Sequence, residues 1–294
     1  MSQMSVFMRL QFKAGDDVRD AGLTTPPDIC RYDDIVYGPD SQIQKLDVYR
    51  PVEAEENKLP VIVSVHGGGW VYGDKERYQY YCMHLAQMGF AVVNFTYRLA
   101  PEFKFPAPLE DTNLVMEWIL KNGSQYNLDT GHIFGVADSA GANTLGVYAN
   151  ICTNPEYARC FSFKVPDGLD LKAVALNCGQ YRLTIEEAKN EQAGQLMADY
   201  LPDGGSEQEL DLIDVIKHLT GSFPSVYVMT CPQDILKGQA PLLVSRLMYL
   251  NVNFRFAFYS DKDKTLGHVF HLNMKSVYGQ QCNRDECAFF KDFC

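Results

Sequence analysis

The hydrophobic positions of this chain follow two alternating patterns. Short apolar runs rich in branched side chains occur at residues 61–65 (Val-Ile-Val-Ser-Val), 91–95, 133–136, 173–176, 226–229 and 254–259. Runs this short and this continuously apolar read as strands buried on both faces. Between them, apolar residues recur at helical spacing. Leu243, Leu247 and Leu250 share one helix face, and residues 108–120 and 140–150 are two further candidate helices. Buried strands alternating with helices predict a mostly parallel sheet with helices on both faces. Ligands of such a sheet bind at the carboxyl ends of its strands.

Two stretches interrupt the alternation. One is the N-terminal segment 1–28. The other, at about 179–223, is polar, carries Glu186 and Glu187, and contains a Pro-Asp-Gly-Gly turn at 202–205. A structureless loop of that length is improbable inside a compact domain, so the second stretch is expected to form a small helical cap over the strand ends. With no linker, repeat or low-complexity segment, residues 1–294 are expected to form a single domain with this cap.

Composition narrows the function classes. A formal net charge of −11 repels nucleic acid and anionic lipid. The nine cysteines are odd in number and include no Cys-x-x-Cys, and the histidines are not spaced as metal ligands. Reduced thiols, no metal and no cofactor are therefore expected. The first twenty residues lack the pattern of a signal peptide, and no apolar run is long enough to span a membrane, which predicts a cytoplasmic protein.

Two motifs carry chemistry. His66-Gly67-Gly68-Gly69-Trp70 directly follows the first strand. Consecutive glycines let backbone N–H groups approach a carbonyl oxygen that becomes negative during acyl transfer. A plain glycine turn is the alternative; a phosphate loop is not, because its Gly-Lys-Ser/Thr is missing. Ala137-Asp138-Ser139-Ala140-Gly141 follows the strand at 133–136 and opens a helix. A serine on that turn projects its hydroxyl from the sheet edge, although Asp-Ser is also a common helix cap. Together the motifs supply a nucleophile, Ser139, and donors for an oxyanion.

A serine hydroxyl needs a base, and the base needs an orienting carboxylate. In such an arrangement both follow the serine in the chain, the carboxylate first. The downstream histidines are His218, His268 and His271. His218 falls in the expected cap. His271 sits in a run that reads as the start of the last helix. His268, preceded by Gly267 and following the strand at 254–259, is the expected base. Asp234, shortly after the strand at 226–229, is the expected carboxylate, ahead of Asp261 and Asp263 in the histidine's own loop.

The chain resembles the hormone-sensitive-lipase-like family of esterases, particularly its bacterial acetyl-esterase branch. The resemblance rests on His66-Gly67-Gly68-Gly69, Tyr97-Arg98-Leu99-Ala100-Pro101-Glu102, Phe105-Pro106-Ala107-Pro108 with Glu110-Asp111, Asp138-Ser139-Ala140-Gly141 and Gly267-His268. It implies an α/β-hydrolase fold with an eight-stranded sheet and the triad Ser139, Asp234 and His268. It implies Gly68, Gly69 and Ala140 as oxyanion donors, with Gly67 as a further candidate. The 97–102 string is expected to brace the glycine loop. Ala137 departs from the family, which usually has glycine there. The expected function is hydrolysis of short-chain, acetyl-like esters of small molecules, with Trp70, Tyr72 and Tyr181 as pocket candidates. An arylformamidase or amidase on the same triad, and a non-catalytic ligand-binding member of the fold, are the alternatives. No nucleic-acid or membrane partner is expected, and a homodimer is compatible with the sequence.

Overall fold

The computed structural model describes residues 1–54 and 57–294. An eight-stranded sheet runs in the order β1-β2-β4-β3-β5-β6-β7-β8. The strands are β1 (Ile29–Val36), β2 (Lys45–Pro51), β3 (Leu59–Val65), β4 (Ala91–Phe95), β5 (Leu128–Asp138), β6 (Leu171–Asn177), β7 (Ser225–Thr230) and β8 (Phe254–Phe258). From β4 to β8 all neighbours are parallel, while β1 and β2 add an antiparallel edge. Two hydrophobic clusters cover the faces. Val61, Val63 and Val65 of β3 point into one, and Ile62 into the other. The alternation along a single strand shows why the run is apolar throughout: both faces are buried.

The six apolar runs correspond to β3 through β8. The two edge strands escaped the pattern because they carry charge. On β2, Asp47 and Arg50 are buried. Asp47 pairs with Lys75 at 2.9 Å and accepts the Tyr49 hydroxyl at 2.7 Å. Arg50 donates to the carbonyls of Asn57 and Ala54 at 2.6 and 2.9 Å. Buried charges at Asp47 and Arg50, interleaved with Leu46, Val48 and Tyr49, break up the apolar signature of the strand.

The first twenty residues form a helix, Gln3–Asp20, capped by the Ser2 hydroxyl. The stretch after β6 holds four short helices, Ile185–Ala188, Glu191–Tyr200, Glu207–Leu212 and Val215–His218. The first and third of these begin with a capping box, Thr184 with Glu187 and Ser206 with Glu209. The backbone amides of Ser2 and Met4 reach Asp199 and Gln195 at 2.7 and 3.0 Å, tying the first helix to the second of the four. The run at 269–272 does not open the last helix. Residues Phe270–Leu272 form an isolated 3-10 turn, and the helix starts at Val277, because Val269 takes a left-handed conformation that breaks the chain direction. Among the described residues, no helix is long and apolar enough to cross a membrane.

Candidate active site

Ser139 sits where β5 ends and the helix Ser139–Thr153 begins, with φ of 51°. An L-residue is strained in that left-handed region, and the strain marks a position fixed by its surroundings. Gly141 explains the tightness. A Cβ there would lie 2.3 Å from the Val65 carbonyl oxygen and 2.4 Å from that of His66. The helix can therefore pack directly against the end of β3. Ala137 occupies the last turn of β5, nearly buried, and the left-handed serine forms with alanine at that position.

The Ser139 hydroxyl lies 3.0 Å from His268 Nε2, and His268 Nδ1 lies 2.6 Å from Asp234 Oδ1. These residues belong to three connections at the carboxyl edge, after β5, β7 and β8, with β6 between the first two. Asp234 is held in turn by the Thr230 hydroxyl at 2.6 Å and the Leu236 amide at 2.9 Å. Burial opposes ionisation of Asp234, yet the hydrogen bonds from His268 and Thr230 outweigh it and hold the carboxyl below its ordinary range. The geometry suits an ionised Asp234 carboxylate that accepts from Nδ1, leaving Nε2 to face the serine hydroxyl.

The glycine loop lies across from Ser139. Gly68 has φ of 111°, and a Cβ there would lie 2.1 Å from the Tyr72 carbonyl oxygen, so only glycine fits. The Gly67 amide is already donated, to the Tyr78 hydroxyl at 2.8 Å. Gly68 and Gly69 line the same cavity as Ser139, as does Ala140 in the first helical turn, where N–H groups lack intrahelical acceptors. The loop is braced from below. The Tyr97 ring stacks on His66 at 3.9 Å, and its hydroxyl donates to the His66 carbonyl at 3.0 Å. Burial pushes the His66 imidazole down to about 4, so the ring is neutral.

Tyr78 was not singled out by sequence. Its hydroxyl accepts from Gly67 and donates to Asp138 Oδ2 at 3.0 Å, joining the glycine loop to the serine turn. Asp138 is fully enclosed, and burial pushes its carboxyl up to about 7, only partly offset by Tyr78. The two carboxyls flanking the serine and histidine thus differ in charge: Asp234 is ionised, while Asp138 is poised near neutrality.

A cavity of about 480 Å³ opens over Ser139. Trp70 and Tyr72 line it. Trp70 is stacked on Tyr200 at 4.2 Å, and the Tyr72 hydroxyl donates to Asp16 at 2.8 Å. Tyr181 does not line it. That ring is fully buried, with its hydroxyl on the Leu176 carbonyl at 2.8 Å, because the chain turns it under the sheet edge. The wall opposite the sheet comes from the N-terminal helix, through Met8, Phe12, Asp16 and Arg19. Their spacing of four, four and three residues puts them on one helix face. That was the available signal, obscured by Phe7 and Leu10 on the exposed face. His271 is buried edge-on against Tyr81 at 5.3 Å, and His218 stacks on Tyr157 at 4.0 Å, so neither joins the site.

Comparison with known proteins identifies the family. Esterase LipI of Mycobacterium tuberculosis is 33% identical over 124 residues, 42% of this chain and 39% of that protein. Versiconal hemiacetal acetate esterase of Dothistroma septosporum is 35% identical over 98 residues, 33% of this chain and 30% of that protein. The matched stretches thus span well under half of these relatives' length. Esterase B from Lactobacillus rhamnosis, solved with an inhibitor, superposes with a TM-score of 0.89 over 99% of this chain and 97% of that one. Its 23% sequence identity makes that a likeness of fold. The family model BD-FAE matches residues 46–228, more than half of the chain. The chain therefore belongs to the BD-FAE family, within the hormone-sensitive-lipase-like α/β-hydrolases that its motifs resemble.

Proposed function

We propose that this protein is a serine carboxylesterase acting on short-chain acyl esters of small alcohols. The observation that carries the reading is the unbroken hydrogen-bonded line from Asp234 through His268 to Ser139, facing two glycine amides. His268 Nε2 takes the Ser139 proton as the oxygen attacks the ester carbonyl. Gly68, Gly69 and Ala140 donate to the oxygen that becomes negative. His268 then protonates the leaving alcohol, and a water molecule repeats the cycle on the acyl-enzyme. Asp234 keeps Nδ1 protonated and stabilises the imidazolium in each half-reaction. Losing one oxyanion donor typically costs about 3 kcal/mol, or roughly a hundredfold in rate.

The short-acyl assignment rests on the cavity. Its volume of about 480 Å³ has to hold both halves of the ester. The helix Gln3–Asp20 and Leu196 of the helices after β6 wall it opposite the sheet, which limits the room for an extended acyl chain. The relative named as an acetate esterase is consistent with this. The nine free thiols suit a reducing compartment, and we place the enzyme in the cytoplasm.

The test has two parts. A fluorophosphonate probe followed by peptide mass mapping should place the adduct on Ser139; a folded protein left unlabelled there rejects the serine mechanism. Hydrolysis of p-nitrophenyl esters from acetyl to dodecanoyl should favour acetyl to butyryl in kcat/KM. Faster turnover of the dodecanoyl ester, or of N-formylkynurenine over p-nitrophenyl acetate, rejects the substrate class while leaving the mechanism intact.

A further inference from the structure

Two thiols not used by this mechanism lie directly behind the Asp234–His268 pair. Cys178 follows the last residue of β6, is almost fully buried, and holds a left-handed φ of 45° with its amide on the Met229 carbonyl at 2.8 Å. Cys231 follows the last residue of β7, and its thiol donates to the carbonyl of Gly267, the neighbour of His268, at 3.1 Å. The Cys178 thiol lies 3.9 Å from the Met229 sulfur. The Cys178 sulfur, a carboxylate oxygen of Asp234 and a ring nitrogen of His268 all lie within 4.8 Å of one another. Among the described residues this is the single such grouping of potential ligands.

We infer that Cys178, Asp234 and His268 form a binding site for a thiophilic divalent cation, zinc or cadmium, and that its occupation switches the enzyme off. Zinc binds sulfur at about 2.3 Å and imidazole nitrogen at about 2.0 Å, which sets tetrahedral ligands roughly 3.5 Å apart. The donors reach that spacing by moving about an ångström. The set of one thiolate, one imidazole and one carboxylate selects zinc-like cations over calcium or magnesium, which prefer oxygen alone. Thiolate and carboxylate together neutralise the divalent charge, as a site this enclosed requires. On binding, the Cys178 proton leaves to solvent and the cation comes from the medium; nothing is oxidised or reduced.

The consequence for His268 does not depend on which ring nitrogen is taken. A cation on Nε2 occupies the lone pair that accepts the Ser139 proton. A cation on Nδ1 moves the imidazole proton to Nε2, which then cannot accept. Either way the base is lost while Ser139 stays in place. The loss of activity rests on the esterase reading; the binding itself does not.

The experiment titrates the full-length protein with cadmium under a phosphine reductant, so that no disulfide forms. Three quantities are followed: the thiolate-to-cadmium charge-transfer band, cadmium retained after gel filtration, and p-nitrophenyl acetate hydrolysis. Wild type should retain one cadmium that Cys178→Ala and His268→Ala both lose, while Cys160→Ala and Cys294→Ala, which remove the exposed thiols, keep it. Hydrolysis should fall at least tenfold with one equivalent and return with chelator, with no response to calcium or magnesium. Cys178→Ala should hydrolyse within about threefold of wild type and require at least roughly tenfold more cadmium for the same inhibition. If Cys178→Ala does not fold, Cys178→Ser, which keeps the size but not the soft ligand, takes its place. Equal cadmium sensitivity in wild type and the Cys178 variant overturns the proposal, as does loss of the bound cadmium in Cys160→Ala or Cys294→Ala. A protein that binds cadmium through Cys178 and His268 but hydrolyses no ester would leave the site standing and sink the esterase reading.

Discussion

The cavity over Ser139 has two walls built in different ways. The carboxyl edge of the sheet presents Ser139, Asp234 and His268 from connections that leave β5, β7 and β8, which with β6 form one continuous parallel run, so backbone register fixes their separation. The opposite wall is one face of the N-terminal helix, held by side chains. Arg9 donates to the Val71 and Ala100 carbonyls at 2.7 and 2.9 Å and pairs with Glu102 at 2.7 Å. Arg19 reaches the Arg77 carbonyl at 2.6 Å and pairs with Asp16 at 2.8 Å. A register shared by buried strands can change only with the whole sheet, whereas a docked helix can tilt when one arginine is lost. The sheet edge should therefore govern kcat, and the helix should govern what binds.

The largest effects should come from the sheet edge. Ser139→Ala and His268→Ala should each lower kcat on the order of a millionfold, and Asp234→Asn about ten-thousandfold, with circular dichroism unchanged. His271→Ala, provided it folds, should stay within about tenfold, because that ring only packs against Tyr81. A dead His271 variant beside an active His268 variant would falsify the placement of the base. Tyr78→Phe comes next. It removes the bridge between Gly67 and Asp138, so the loop loses its register with the serine, and kcat should fall roughly tenfold to a hundredfold with KM little changed. A rise in KM alone would mean that Tyr78 shapes the pocket rather than the donors. The helix wall should respond in the opposite manner. Arg9→Ala should raise KM up to about tenfold while kcat stays within about threefold, since tenfold corresponds to about 1.4 kcal/mol, the scale of one charged hydrogen bond ordering that wall. If kcat falls and KM does not, the two walls are not separable.

The same contrast explains what could be read from the sequence. The strands β3 to β7 are buried on both faces along their apolar runs, so burial wrote itself into the sequence, while β8 at the sheet edge is half exposed and is marked by its aromatic residues instead. The serine turn and glycine loop were legible because close backbone approach admits very few residue types, as Gly68 and Gly141 show. What stayed hidden depends on side-chain pairing across long separations. The β2 strand buries Asp47 and Arg50 because Lys75 and distant carbonyls satisfy them. Tyr78 matters through a partner sixty residues away. The N-terminal helix faces the cavity with residues no more apolar than those it shows to solvent, so the spacing of Met8, Phe12, Asp16 and Arg19 does not stand out. Tyr181 was a pocket candidate, yet its hydroxyl finds the Leu176 carbonyl and the ring is fully buried away from the cavity.

The smallest expected effect concerns a second enclosed carboxyl behind the sheet edge. Glu286 accepts hydrogen bonds from the Tyr81 hydroxyl at 2.8 Å and the Asn177 amide at 2.6 Å. Burial raises its pKa from 4.5 to about 7, against the lowering effect of those two donors, and Asp138 adds repulsion. The sign follows from proton uptake. Between about 4.5 and about 7 the folded chain holds a proton on Glu286 that the unfolded chain has released. The group's contribution to stability is therefore complete below 4.5 and is lost as pH rises through about 7. Glu286→Gln keeps the shape and cannot ionise, so it should lack that loss. Asp138 titrates in the same window but is present in both proteins, and its contribution largely cancels in the difference. The Tm of Glu286→Gln relative to wild type should rise by a few degrees between about pH 5 and about pH 8, whatever the offset from replacing one oxygen by an amide. Thermal melts at several pH values in one buffer series measure it. Parallel Tm curves would show that Glu286 ionises in the fold as easily as in the unfolded chain. A relative fall in Tm with rising pH would show that its two donors hold it as a carboxylate, as Thr230 and His268 do for Asp234.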